Sequence, residues 1–306
     1  MADQLVRATA AGGRIRAVGV LTTRLTEEAR NRHRLSYVAT AALGRSMAAG
    51  LLLASNFKQE EARINLRFEG DGPLGGILVD AGADGTVRGY VKHPDVELPP
   101  NPRGKLDVGG AVGANGFLYV IKDLGYGYPF SGTTELVTGE IGDDVLHYLV
   151  KSEQTASALM LGVFVGAEGV DAAGGLLLQV MPGADGSFDE DLSTQLAERL
   201  ERIEGFTPLV RSGRRLPQIL EDLLGDMDLQ IFPEVQLVRF SCTCSDARVR
   251  RALKMLGEAE LQDMIDTDGG AEATCSFCNE VYQMTGDDLA LLIEQLRAEQ
   301  SKAITE

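Results

Sequence analysis

All four cysteines of this 306-residue chain lie between Cys242 and Cys278, and no other feature restricts it as strongly. They fall as Cys242-Thr-Cys244, then thirty residues, then Cys275-Ser-Phe-Cys278. In the run Val238-Arg-Phe-Ser-Cys-Thr-Cys, read as extended, positions 238, 240, 242 and 244 share one face, so both thiols point the same way. The second pair has the spacing of a hairpin-like knuckle, half of a zinc ribbon. Four soft thiolates at tetrahedral positions select zinc over magnesium or calcium. The three histidines, His33, His93 and His147, are far away in the sequence, so closing one zinc site takes Cys242, Cys244, Cys275 and Cys278 together.

The start of the chain, Met1-Ala-Asp-Gln-Leu-Val-Arg, lacks the basic opening and apolar run of a secretory leader. The apolar stretch near Ala48 to Ala54 is shorter than the ~20 residues that cross a bilayer. The expected setting is therefore cytoplasmic, where thiols stay reduced and clustered cysteines read as metal-binding or redox-active. The net charge of −16 repels phosphate backbones and anionic lipid, so neither nucleic acid nor a membrane is the expected partner. From Cys242 to Glu306 six Lys and Arg stand against thirteen Asp and Glu, a net of −7, which repeats the point for the cysteine-bearing part.

Upstream, the pattern predicts an α+β fold: a mixed, largely antiparallel sheet domain with packed helices over residues 1–182. Val6 to Ala10 and Arg14 to Leu21 pair around Gly12-Gly13. A helix is expected from Thr26, and one rich in small residues from about Ser36 to Ala54. Ile64, Leu66 and Phe68 alternate as a strand. Gly76 to Asp80 and Thr86 to Val91 form a hairpin about Ala83-Asp84-Gly85. Phe117 to Ile121, Ala158 to Val165 and Gly175 to Val180 are further strands, with a helix from about Asp143 to Ala156. The texture changes at Met181-Pro-Gly. Phe188, Leu192, Leu196, Leu200 and Ile203 then recur at spacings of three and four, as on one face of a helix ending at Gly205. A second helix from about Pro217 carries Ile219, Leu220, Leu223 and Leu224 to Gly225. Residues 183–236 thus read as a helical linker docked on a neighbour, and residues 237–306 as a small four-cysteine zinc-binding domain.

Two features suggest that such a site is more than a staple. A disulfide within Cys-x-Cys would close a very small ring, and strained disulfides are the labile, regulatory kind. Ser245-Asp246 reads as a helix start followed by Arg248, Arg250, Arg251 and Lys254, whose dipole and cations would favour thiolate.

The chain resembles the 33 kDa heat-shock chaperone family. The resemblance runs through Pro233-Glu-Val-Gln-Leu-Val-Arg-Phe-Ser-Cys-Thr-Cys-Ser, Asp268-Gly-Gly-Ala-Glu-Ala-Thr-Cys-Ser-Phe-Cys-Asn-Glu-Val-Tyr, Lys151-Ser-Glu-Gln-Thr-Ala-Ser, Gly174-Gly-Leu-Leu-Leu-Gln-Val-Met-Pro and Gly72-Pro-Leu-Gly-Gly. It covers essentially the whole chain. It implies an ATP-independent holdase and no enzyme: one zinc per chain when reduced and inactive, and client binding once oxidised. It further implies that Cys242 pairs with Cys244 and Cys275 with Cys278, and that unfolding proteins are the partners. A homodimer in the oxidised state and ATP-dependent refolding chaperones downstream complete that picture. A module of about 65 residues has a thin core, so losing zinc would unfold it and free the linker. Leu192, Leu196, Leu200, Ile203, Leu220 and Leu223 are then candidate client-binding residues, or else ordinary core residues of stable helices.

Two other classes compete: a constitutive zinc-ribbon binding protein, and a thiol–disulfide oxidoreductase using Cys275 and Cys278. The oxidoreductase expects its Cys-x-x-Cys at a helix start, whereas this one precedes a strand. Gly70-Asp-Gly-Pro-Leu-Gly75 fits a dinucleotide fingerprint in letters, but a strand rather than a helix follows it. Asp143-Asp144 and Asp287-Asp288 read as first-turn helix charges.

Overall fold

Strand-length alternation in the first part of the chain and helical spacing after residue 188 lead to two different kinds of packing. The computed structural model describes residues 2–183 and 189–305, and the chain divides into two compact units, Met1–Ser241 and Cys242–Glu306. Phe188, assigned above to a helical face, lies outside the described residues.

The first unit opens with β1 (Gln4–Ala10), β2 (Ile15–Leu21), α1 (Thr23–His33), α2 (Tyr37–Ala54), β3 (Arg63–Glu69), β4 (Ile77–Gly82) and β5 (Thr86–Val91). It continues with α3 (Val108–Val112), β6 (Phe117–Asp123), β7 (Phe130–Glu135), α4 (Gly142–Lys151), β8 (Ser157–Gly166) and β9 (Gly169–Val180). It ends with α5 (Glu190–Glu201), α6 (Phe206–Arg211), α7 (Leu216–Leu224), β10 (Gln230–Ile231), β11 (Gln236–Leu237) and β12 (Arg239–Phe240). One sheet runs β10-β1-β2-β9-β8, with β11 also on β1; the other runs β12-β5-β4-β3-β6-β7. Their ladders are antiparallel except for the parallel β12–β5 pair. The fold is α+β, as the sequence pattern predicts.

Helix α2 is the centre of this unit. Ser36 caps it by accepting the Ala39 amide, and every residue of it except Tyr37 and Arg45 is buried. Its 18 residues have a mean hydropathy of 1.3, long and apolar enough by composition to cross a membrane. The helix instead packs on strands of both sheets. Small residues are what let it fit: a Cβ on Gly44 would sit 2.7 Å from the Thr26 methyl and 2.8 Å from a Val163 methyl.

The first sheet is buried on both faces. Ala172, Leu176, Leu178 and Val180 of β9 point to one side, with Val6, Ala8 and Ala10 of β1 and Ile15 and Ala17 of β2. On that side lie α5, α6 and α7, whose Leu192, Leu196, Leu200, Leu220 and Leu223 are buried in the same cluster, with Ile203 half-buried beside them. A Cβ on Gly174 would meet the Phe206 ring at 2.7 Å, so this strand position has to be glycine for α6 to approach. Arg199 binds Asp226 through both terminal nitrogens, at 2.6 and 2.7 Å, and ties α5 to the end of α7. The apolar stripe of the expected linker, over its described residues, is therefore part of the first unit's core, held at roughly 1.5–3 kcal/mol per buried leucine.

The glycine-rich Gly70–Gly75 segment joins two antiparallel strands. It is bonded to α3, Gly72 donating to the Val112 carbonyl at 2.9 Å and Leu74 to that of Ala111 at 3.0 Å. No helix follows it, so the dinucleotide reading has no support there.

The second unit holds α8 (Asp246–Lys254), α9 (Glu258–Asp268), β13 (Gly270–Thr274), β14 (Val281–Thr285) and α10 (Gly286–Thr305). Its core is small. Leu261, Met284, Leu289, Leu292 and Ile293 are buried, and Val249, Leu253, Met264, Ile265 and Tyr282 are only partly covered.

Candidate metal centre

The hairpin β13–β14 is in register from Gly270 opposite Thr285 to Thr274 opposite Val281, which leaves Cys275–Glu280 as the connecting turn. The Cys275 amide donates to the Glu280 carbonyl at 2.9 Å, and the amides of Cys278 and Asn279 donate to the Cys275 carbonyl at 3.3 and 2.8 Å. Asn279 takes the left-handed conformation, with φ of 60°, which lets so tight a turn close with a non-glycine residue. Both thiols of the pair are thereby held on the inside of one knuckle.

The other pair arrives differently from the expected extended run. β12 ends at Phe240, so Cys242 and Cys244 lie in an irregular segment that stops at Ser245. Ser245 caps α8 by accepting the Arg248 amide. Val238 and Phe240 are buried in the first unit, while the two cysteines belong to the second.

The four sulfurs lie within 4.8 Å of one another. Cys242 Sγ is 3.8 Å from Cys275 Sγ, and Cys244 Sγ is 3.3 Å from Cys278 Sγ. Four thiolates at ~2.3 Å from one tetrahedral ion would stand about 3.8 Å apart, so the arrangement is positioned to bind a single metal ion. Burial pushes the Cys275 and Cys278 thiols up from their ordinary range, opposed in part by turn amides, from Phe277 and Cys278 at Cys275 and from Glu280 at Cys278. Without a cation these two thiols stay protonated at neutral pH; a coordinated dication reverses that preference.

Three of the four cations expected to favour thiolate bind other side chains. Arg250 holds Asp246 at 2.6 Å and Asp288 at 3.0 Å, and Lys254 holds Glu299 at 2.9 Å. Arg248 donates to the Thr243 hydroxyl at 2.7 Å. One contact escaped sequence reasoning: the Tyr282 hydroxyl donates to Cys244 Sγ at 3.1 Å. The Cys-Asn-Glu-Val-Tyr spacing contained it, but only the hairpin register shows where the phenol goes.

The leucines of α5 and α7 are not part of this cluster; they belong to the first unit. The histidines are dispersed as well, His33 in α1, His93 after β5 and His147 in α4. The Cys275-x-x-Cys278 turn joins two strands and starts no helix, unlike a thiol–disulfide oxidoreductase motif.

Residues 3–285 match the family model described as Hsp33 protein. The chain is 80% identical over 299 residues to the 33 kDa chaperonin of Gloeobacter violaceus, covering 98% of each chain. It is 69% identical over 299 residues to that of Rippkaea orientalis, covering 98% of this chain and 99% of the relative. The solved 33 kDa chaperonin (heat shock protein 33 homolog) of Thermotoga maritima superposes with a TM-score of 0.89 at 32% identity, over 96% of this chain and 99% of that one.

Proposed function

Because the chain belongs to the Hsp33 family of chaperones, we propose that it is a redox-regulated, ATP-independent holdase, inactive while zinc occupies the four-cysteine site. The observation that carries this reading is the gathering of the Cys242, Cys244, Cys275 and Cys278 sulfurs within 4.8 Å of one another, close enough to share one metal ion. Zn²⁺ bound there would keep the thiolates deprotonated and supply folding energy, about 10–16 kcal/mol in small zinc peptides. The second unit's few buried side chains make it dependent on that contribution.

Activation follows from oxidising the ligands. Two thiolates, one hydrogen peroxide and two protons give one disulfide and two waters, so two peroxides convert the site to Cys242–Cys244 and Cys275–Cys278 and leave no thiolate for the metal. All four sulfurs are within 4.8 Å, so each partner is at hand once one sulfur is oxidised. The second unit then loses its brace and unfolds. Unfolding client proteins are the partners. The oxidised protein is a homodimer acting in the cytoplasm, and it passes clients to ATP-dependent refolding chaperones.

The client surface in this reading includes Leu192, Leu196, Leu200, Ile203, Leu220 and Leu223. Their burial means that α5 and α7 have to leave the first sheet before clients can use them. The test follows aggregation of a thermally unfolding enzyme with zinc-loaded reduced protein and with peroxide-treated protein, while a chromogenic chelator reports released zinc. Suppression only after oxidation, with about one zinc released per chain, is expected. Retained zinc, or equal activity of both forms, sinks the switch.

A further inference from the structure

The hydrogen bond from Tyr282 to Cys244 joins the two arms of the cysteine cluster. Tyr282 lies on β14 opposite Ala273 of β13, and its ring packs on the second unit's core. That packing presents the hydroxyl to a sulfur in the irregular segment before α8. The sulfurs of Cys275 and Cys278 face amides of their own turn. Cys244 instead receives a side-chain donor from the opposite arm.

We infer that Tyr282 is a positioning residue that holds the Cys244 sulfur and lowers its reactivity toward peroxide. Its hydroxyl thereby sets how much oxidant the metal site withstands before opening. The inference rests on the redox reading above. A hydrogen bond to an ionised acceptor is stronger than a neutral one and draws on the lone pairs that would attack. Donors behind a metal's ligands tune those ligands in the same way. In the step concerned, the Cys244 thiolate attacks one oxygen of hydrogen peroxide. The S–O bond forms as the O–O bond breaks, sulfur loses two electrons, and hydroxide leaves and is protonated to water. A neighbouring cysteine thiolate then displaces the second oxygen as hydroxide and forms the S–S bond. The phenol opposes the first of these events and takes no part in the bond changes.

The experiment uses the full chain loaded with Zn²⁺ and compares it with Tyr282→Phe, which keeps the ring and deletes one oxygen. Metal release under excess peroxide, read with a chromogenic chelator, is expected to be several-fold to about tenfold faster in the variant. In Co²⁺-substituted protein, losing the donor shifts the sulfur-to-cobalt charge-transfer band to lower energy while the tetrahedral d–d bands persist; a tyrosine that only fills space would not move that band. Placing 3-fluorotyrosine at position 282 makes a stronger donor and is expected to slow release below that of the natural protein, which keeps the inference testable if the phenylalanine variant does not fold. Unchanged release rates with an unshifted cobalt band overturn it. If the natural protein itself keeps its metal under peroxide, the redox reading fails separately, and the cobalt band alone then decides whether the phenol tunes the sulfur.

Discussion

Asp288 shows how one residue closes a helix and carries a pH dependence. It accepts the Thr285 amide at 3.0 Å and the Thr285 hydroxyl at 2.8 Å, and Arg250 reaches it at 3.0 Å. The Thr285 bonds, then Arg250, hold its carboxyl down to about 2 from an ordinary 3.8. A group whose folded-state pKa is depressed stabilises fully above its unfolded value, and that stabilisation is lost as pH falls through the folded one. Asp288→Asn is therefore expected to lower the second unit's melting temperature near neutral pH and to narrow the gap to the natural protein between pH 4 and 2. Melts of both proteins across that range would show it; a constant gap would remove Asp288 from the acid response. At the start of α4 in the first unit Asp144 is fully buried and accepts the amides of Val137, Thr138, Gly139 and Ile141. The paired acids at both helix starts were legible because Asp at a helix N-terminus has a local cause. The Tyr282 contact was not, since it depends on which strand position stands across from which.

Among the elements, α5 and α7 matter most, because their apolar stripe reads equally as a weakly docked linker or as core. The structure has the stripe buried on the first sheet, with Leu196 1% and Leu220 0% exposed. Leu196→Ala and Leu220→Ala are each expected to destabilise the first unit by about 2–5 kcal/mol, the usual range for a leucine cavity. Chemical denaturation monitored on the first unit's transition checks this; losses below about 1 kcal/mol would mean these helices contribute little to its fold. Helical spacing was enough to place α5 and α7 within a few residues. It could not find α6, whose six residues Phe206–Arg211 include Pro208. Nor could it find β10 and β11, each two residues long and defined only by the strand it joins, whereas β12 falls within the run read as extended from Val238. Strand β7, rich in Gly, Ser and Thr, has no apolar alternation to announce it.

For the whole molecule, the two units have unequal means of support. The first has a central helix buried except at Tyr37 and Arg45 and a sheet covered on both faces. The second has, among its described residues, five buried side chains in its hydrophobic core and a four-thiol cluster. Stripping metal from the reduced protein with a strong chelator is thus expected to abolish a separate calorimetric transition of the second unit while the first unit's transition remains. A second transition that survives chelation would show that the small core suffices alone. The sequence by itself determined the α+β class, the four metal-ligand candidates and the family, because alternation, cysteine spacing and ordered motifs are local patterns. Tertiary structure decided that the apolar stripe between residues 192 and 224 is core, that Val238 and Phe240 part company with Cys242 and Cys244, and that a phenol stands at Cys244. Those outcomes depend on which surfaces meet after the chain folds back, and contacts between residues so far apart in sequence leave no periodic trace in it.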